Sequence, residues 1–324
     1  MDGLLVIDKP SGPSSHDVVA RVRRILNEHR IGHTGTLDPE ATGVLPLVIG
    51  RATRLARFLS GADKSYEAVV RLGVSTNTYD AAGQAVGEPY TGTLPSREAI
   101  DSALDEYRGA FMQQPPAYSA KKIGGLASYK LARRTDRLRA RGVEGTGMAA
   151  AEAAAPQLTP ARVSATVIEI LRLDADRVTL RMECSAGFYV RSLAHDLGQR
   201  LGTGAHLASL RRTRSGDAWL QDAVSLDLIE DGERGRERAI AAMIPLSRML
   251  PALPELVLTA TGLRAAVHGR ELTPADLLSP ASPLNPADPL SPMNYRLMDL
   301  GGNLVGLAAP ARTPGLFHPF VVLM

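Results

Sequence analysis

Apolar and polar side chains alternate along Lys64-Ser65-Tyr66-Glu67-Ala68-Val69-Val70-Arg71-Leu72, which predicts a strand with one buried face. The same period of two recurs over Arg162–Ile170 and Val178–Cys184. Leu4-Leu5-Val6-Ile7 is a short continuous apolar run and reads as a buried strand. A turn follows from Asp8, and Val18, Val19, Val22, Ile25 and Leu26 then form the stripe of an amphipathic helix that Ser15 can cap. Helices are also predicted around Ala52–Phe58, over Arg97–Phe111, and after Ser192 to about Leu201. Near the end, Tyr295–Leu300, Gly301-Gly302-Asn303 and Leu304–Leu307 read as a hairpin, with a last strand over His318–Leu323.

Three stretches break this periodicity. Arg30 to Ile49 holds glycines and prolines that rule out one regular element. Within it, Pro39 biases Asp38 toward an extended conformation, so a carboxylate stands on a stiff loop ahead of an apolar run. Gly142–Leu158 is low-complexity, dominated by Gly, Ala, Thr and Glu. Between Thr273 and Met293 lie six prolines, which predicts an irregular loop. No internal repeat is present.

With 324 residues, 44% of them apolar, the chain can bury a core in one large domain or two. No run of about 18 apolar residues predicts a membrane span, and Met1–Leu5 lacks the basic-then-apolar form of a secretion signal. The sole cysteine, Cys184, excludes an internal disulfide and a thiolate metal cage, and its alternating context makes it core filler. A soluble cytoplasmic protein is expected. The net charge of +3 is modest, but basic residues cluster: eight Lys or Arg between Ser119 and Val143, then Arg211, Arg212 and Arg214, then Arg51, Arg54 and Arg57. Three such clusters favour a polyanionic partner. Phosphate-loop, dinucleotide and zincin patterns are missing, and the seven histidines have no metal-binding spacing, so no cofactor or metal is expected.

The run Gly32-His33-Thr34-Gly35-Thr36-Leu37-Asp38-Pro39-Glu40-Ala41-Thr42-Gly43-Val44-Leu45-Pro46 resembles the signature of the tRNA pseudouridine-55 synthases, the TruB family, at every fixed position. Further segments resemble the family: Lys9-Pro10-Ser11-Gly12-Pro13-Ser14-Ser15, Lys64-Ser65-Tyr66, Pro115-Pro116-Ala117-Tyr118-Ser119-Ala120-Lys121-Lys122 and Gly187-Phe188-Tyr189-Val190-Arg191. The likeness covers roughly residues 3–230 well. It implies an α+β pseudouridine synthase fold, a mixed and mainly antiparallel sheet flanked by helices with a cleft across its middle. It also implies domains at 1–250 and 251–324, the second a β-rich module similar to PUA domains, with an RNA-gripping arm at about 112–142. Against the family pattern, Gly142–Leu158 is an insertion, and deleting it is expected to leave turnover largely intact.

The implied reaction breaks the uracil N1–ribose C1′ bond and joins C5 to C1′, with no atom gained or lost and no redox change. It needs one ionised, buried carboxylate. The resemblance makes Asp38 that group and Arg191 its partner, since a bidentate guanidinium keeps a carboxylate charged and oriented. It places Tyr66 against the target base, where it can also take a proton from the ribose. Tyr189 and Leu210 line the pocket, and His33 fills the space left by a flipped nucleotide. Lys9 is a candidate for structural or RNA contact. His195 and Asp196 are read as structural. Attack by Asp38 on the base, attack on the sugar and proton transfer all fit these residues. The expected partner is the tRNA T stem-loop, met by a monomer without membrane or protein partners. A guide-RNA-dependent relative, a tRNA-folding chaperone and a base-releasing glycosylase are the competing readings.

Overall fold

The computed structural model describes residues 1–119, 122–123, 126–127, 158–278 and 294–324. Most of the expected arm, the low-complexity stretch and the proline-rich loop lie outside the described residues. The chain forms two compact units, one of residues 1–37, 44–61 and 216–324, the other of residues 38–43 and 62–215.

The second unit is built on five strands in the order Ala205–Ser215, Lys64–Leu72, Arg177–Cys184, Ala161–Asp174 and Gly109–Gln113, each antiparallel to its neighbours. Thr42 and Gly43 add a short parallel pairing to Arg211 and Arg212, which makes the pattern mixed. The alternation in Lys64–Leu72 translates directly into burial: Ala68 and Val70 are fully enclosed with Leu180, Met182, Leu193 and Leu197. Leu158 is also buried, and its carbonyl accepts from Gln114 Nε2 at 2.7 Å. The last residue of the expected insertion is thus packed, while 142–157 lie outside the described residues.

The helix expected over Arg97–Phe111 stops at Leu104 and gives way to a 3-10 turn at Asp105–Tyr107 and the strand Gly109–Gln113. Gly109 at φ +79° turns the chain there, a conformation that disfavours other residues. Cys184 is 2% exposed and burial pushes its thiol up to about 12. We predict that a thiol-alkylating reagent at pH 8 leaves the native protein unmodified and labels it only in denaturant, read by mass spectrometry.

In the first unit, Gly3–Lys9 pairs parallel with Val224–Ser225 and antiparallel with Ile244–Pro245. The helix Ser15–Leu26 is capped by Ser14, one residue earlier than expected, with Asp17 completing a reciprocal capping box. Ser15 instead faces inward, buried. The chain's last strands form a four-stranded sheet in the order Glu255–Val257, Tyr295–Met298, Leu304–Pro310 and Phe317–Val322; the last three match the predicted hairpin and end strand, and Glu255–Val257 joins them in parallel.

Arg51, Arg54 and Arg57 are engaged within this unit. Arg51 pairs with Asp2 at 2.8 Å, Arg54 donates to the Val322 carbonyl, and Arg57 lies 4.7 Å from the Phe58 ring centre and 5.5 Å from that of Phe320. Arg212 is 1% exposed. Two of the three basic clusters thus serve the fold as well as any partner. Among the described residues no helix is long and apolar enough to cross a membrane.

Candidate active site

Asp38 sits on a loop fixed from both sides. Before it, Leu37 is buried, and its N–H and C=O both meet the Ser15 hydroxyl at 2.9 Å. At Asp38 itself, the Ala41 N–H donates to the Asp38 carbonyl at 3.1 Å, closing a turn with Pro39 at its second position. After it, Gly43 has φ +96°, and a Cβ there would lie 2.2 Å from the Arg212 carbonyl oxygen. Gly43→Ala is therefore expected to lower stability by about 2–4 kcal/mol, measured by urea denaturation, because strain and a backbone clash coincide.

Arg191 approaches from the helix Val190–Arg200, whose N-cap is Tyr189. Buried Gln113 holds that cap from both sides: its Nε2 donates to the Tyr189 carbonyl at 3.0 Å, and its Oε1 accepts from the Tyr189 N–H at 2.8 Å. The Arg191 side chain is 7% exposed. Nε lies 3.0 Å from Asp38 Oδ2, and Nη2 donates to Asp38 Oδ1 at 3.3 Å, a two-point grip on the carboxylate. Nη2 also donates to the Tyr118 carbonyl at 2.8 Å, while Nη1 donates to the Thr78 carbonyl at 3.3 Å and lies 3.5 Å from Asp80 Oδ2. All three guanidinium nitrogens are thus engaged. The Asp38 side chain is 43% exposed, which corrects the expectation of a buried carboxylate: the guanidinium is enclosed and the acid is open to an incoming ligand.

Tyr66 is 8% exposed and stands opposite Met182 on one neighbouring strand and Arg212 on the other. Burial raises its pKa against the lowering effect of Arg212, so the phenol is neutral at pH 7. Half-buried Leu210 pairs with Ala68, two residues along from Tyr66 and on the same strand face. Its carbonyl accepts from the Thr42 hydroxyl at 3.4 Å.

His33 and Lys9 belong to the other unit. His33 ends the strand Ile31–His33 and meets the His16 ring edge-on at 5.3 Å. Lys9 is 0% exposed and donates from Nζ to the Pro10 carbonyl at 2.9 Å. A residue without accessible surface presents nothing to an RNA phosphate, so the structural half of the expectation for Lys9 is the one its burial favours.

The structure adds Asp80, the Thr78 and Tyr118 carbonyls and Gln113 to the expected set. Asn77-Thr78-Tyr79-Asp80-Ala81-Ala82-Gly83 carries a readable turn signal, polar side chains that bond their own backbone. Nothing in it points to Arg191, which lies 111 residues beyond Asp80 (191 − 80).

On the arginine's helix, burial pushes Asp196 up to about 6 from 3.8. A raised acid favours the folded state only while protonated, so its penalty grows as pH rises from about 4 through 6. Asp196→Asn is expected to stabilise the protein by ~1–2 kcal/mol at pH 8 and by nothing measurable at pH 3.5, followed by thermal unfolding at both pH values.

Asp38 and Arg191, paired here, both lie in segments that resemble the pseudouridine synthases. Comparison of the whole chain with known proteins points to the same family. The family model "TruB family pseudouridylate synthase (N terminal domain)" matches residues 23–190, and "tRNA pseudouridylate synthase B C-terminal domain" matches residues 191–252. The tRNA pseudouridine synthase B of Solibacter usitatus (strain Ellin6076) is 42% identical over 323 residues, covering 100% of both chains. That of Stutzerimonas stutzeri (strain A1501) is 39% identical over 272 residues, 83% of each chain. A chain from an H/ACA RNP bound to a substrate RNA containing 2′-deoxyuridine aligns with TM-score 0.68 at 25% identity, over 99% of this chain and 85% of that one. A chain from the archaeal box H/ACA sRNP Nop10-Cbf5 complex gives 0.67 at 28% identity, covering 99% and 86%. The chain belongs to the TruB family of pseudouridine synthases, and its fold is the pseudouridine synthase fold.

Proposed function

We propose that this chain isomerises uridine 55 in the T loop of tRNA to pseudouridine. The observation that carries the proposal is the Asp38–Arg191 pair, a solvent-open carboxylate held by a buried guanidinium at 3.0 and 3.3 Å. The full-length match to a relative named tRNA pseudouridine synthase B supports tRNA as the substrate and a stand-alone enzyme.

The target uridine leaves its stack, at a cost of a few kcal/mol, and His33 occupies part of the space it vacates. Tyr66, Tyr189 and Leu210 receive the base. Asp38 enters as an anion because Arg191 stabilises that form and fixes its orientation. The N1–C1′ bond breaks, the uracil turns in place, and C5 joins C1′. The C5 proton leaves to solvent and N1 takes one, so composition and oxidation state are unchanged. Tyr66, a neutral phenol, serves as a stacking surface and hydrogen-bonding group. Residues 251–324 act as a PUA-like RNA-binding module appended to the 1–250 catalytic region, in a cytoplasmic monomer.

The test is incubation of the purified protein with unmodified tRNA, followed by mapping of pseudouridine. One modified position in the T loop is expected, and a transcript with cytidine there is expected to stay unmodified. Modification elsewhere, or release of free uracil, contradicts the proposal.

A further inference from the structure

The segment that meets Arg191 opposite Asp38 is tightly folded. Thr76 Oγ1 donates to the Asp80 carbonyl at 2.7 Å, Thr78 Oγ1 to Asp80 Oδ1 at 2.6 Å, and the Ala82 N–H to the same oxygen at 3.1 Å. The Tyr79 N–H closes the turn onto the Thr76 carbonyl at 3.2 Å. Tyr79 itself has φ +65°, a left-handed conformation that an aromatic residue rarely adopts. The turn is thus held at some strain, between the two residues that give Arg191 a carbonyl and a carboxylate.

The Tyr79 ring lies flat on the His195 ring, with centres 3.8 Å apart and planes 12° from parallel. His195 is four residues after Arg191 on the same helix, one turn along its face. It is half-buried, and its Nδ1 is enclosed with no hydrogen-bond partner. Burial lowers its pKa, which favours the neutral ring. A polar atom kept enclosed without a partner indicates that packing of the ring, not hydrogen bonding by Nδ1, holds the side chain there.

We propose that the Tyr79–His195 stack is a positioning device for the reaction: it ties the strained turn to the arginine's helix, so that Asp80 and the Thr78 carbonyl hold Arg191 in register with Asp38. The proposal rests on the pseudouridine synthase reading of the site. Neither ring touches the reacting atoms, and both act through Arg191. Without the stack the turn relaxes from its left-handed conformation and Nη1 loses its two acceptors. The guanidinium then swings, and Asp38 loses its fixed orientation toward the sugar.

The test measures single-turnover pseudouridine formation and equilibrium binding on T stem-loop RNA. Tyr79→Phe and His195→Phe keep a flat ring and are expected to stay within about 2-fold of wild type. Tyr79→Gly accepts the positive φ but removes the ring, and His195→Leu removes the other partner. Each is expected to slow the chemical step by about 10-fold or more at an RNA Kd within about 2-fold. In an Asp80→Asn background, Tyr79→Gly is expected to cost clearly less than in wild type, because one of the two acceptors it positions is already impaired. An unchanged rate in Tyr79→Gly, or the same loss in both backgrounds, overturns the proposal. Matching losses from both Phe variants, with unfolding midpoints at the wild-type value, overturn it too. Inactive wild type on the same RNA contradicts the functional reading instead.

Discussion

Asp38→Asn is expected to fold, to bind T stem-loop RNA with an affinity close to wild type, and to form pseudouridine roughly 10³-fold more slowly or not at all. The substitution is nearly isosteric. The turn around it is closed by backbone, the Ala41 N–H on the Asp38 carbonyl, and the preceding residue by the Ser15 hydroxyl. Neither depends on the side chain's charge. What is lost is the anion that Arg191 grips. Circular dichroism, filter binding and mass-spectrometric nucleoside analysis on one preparation separate the three outcomes. A variant that also loses RNA binding would make Asp38 a binding residue.

Arg191→Lys is expected to lower the single-turnover rate by roughly 10²-fold, with a smaller effect on RNA binding. A lysine keeps the charge but offers three donors from one point. It cannot hold Asp38 at two oxygens while also meeting Asp80 and the Thr78 and Tyr118 carbonyls, as the guanidinium does. The acceptors it leaves are partly buried, so a lower unfolding midpoint should accompany the loss. Adding guanidinium ion should restore little rate, since the site fixes its arginine through the helix as much as through the contacts. Near-wild-type rates in this variant would mean that charge alone suffices.

Elements with a clean apolar period were legible from the chain. Lys64–Leu72 alternates and is a strand with those bounds, and Val18, Val19, Val22 and Leu26 are the buried stripe of their helix. Residues 97–111 misled, because apolar spacing there suits a helix until Gly109, whose positive φ is visible only in three dimensions. Asp38 and Arg191 were found through motifs that resemble a family, not through their pattern, and 153 residues separate them. Asp80 was out of reach for a different reason: its turn chemistry is local and readable, but its contact with Arg191 is tertiary. The arginines at 51, 54 and 57 have a second role that their spacing does not reveal. Their spacing suggests a basic face for a polyanion, and the structure engages them with Asp2, the Val322 carbonyl and two phenylalanines. Charge pattern reports where cations are, not which partner neutralises them.

The most direct test of Asp38 as the reacting carboxylate is tritium release from T stem-loop RNA labelled at uridine C5, with enzyme in excess. Wild type should release one tritium per RNA, and Asp38→Asn no more than the enzyme-free blank. Release by Asp38→Asn at or near the wild-type rate would contradict the account.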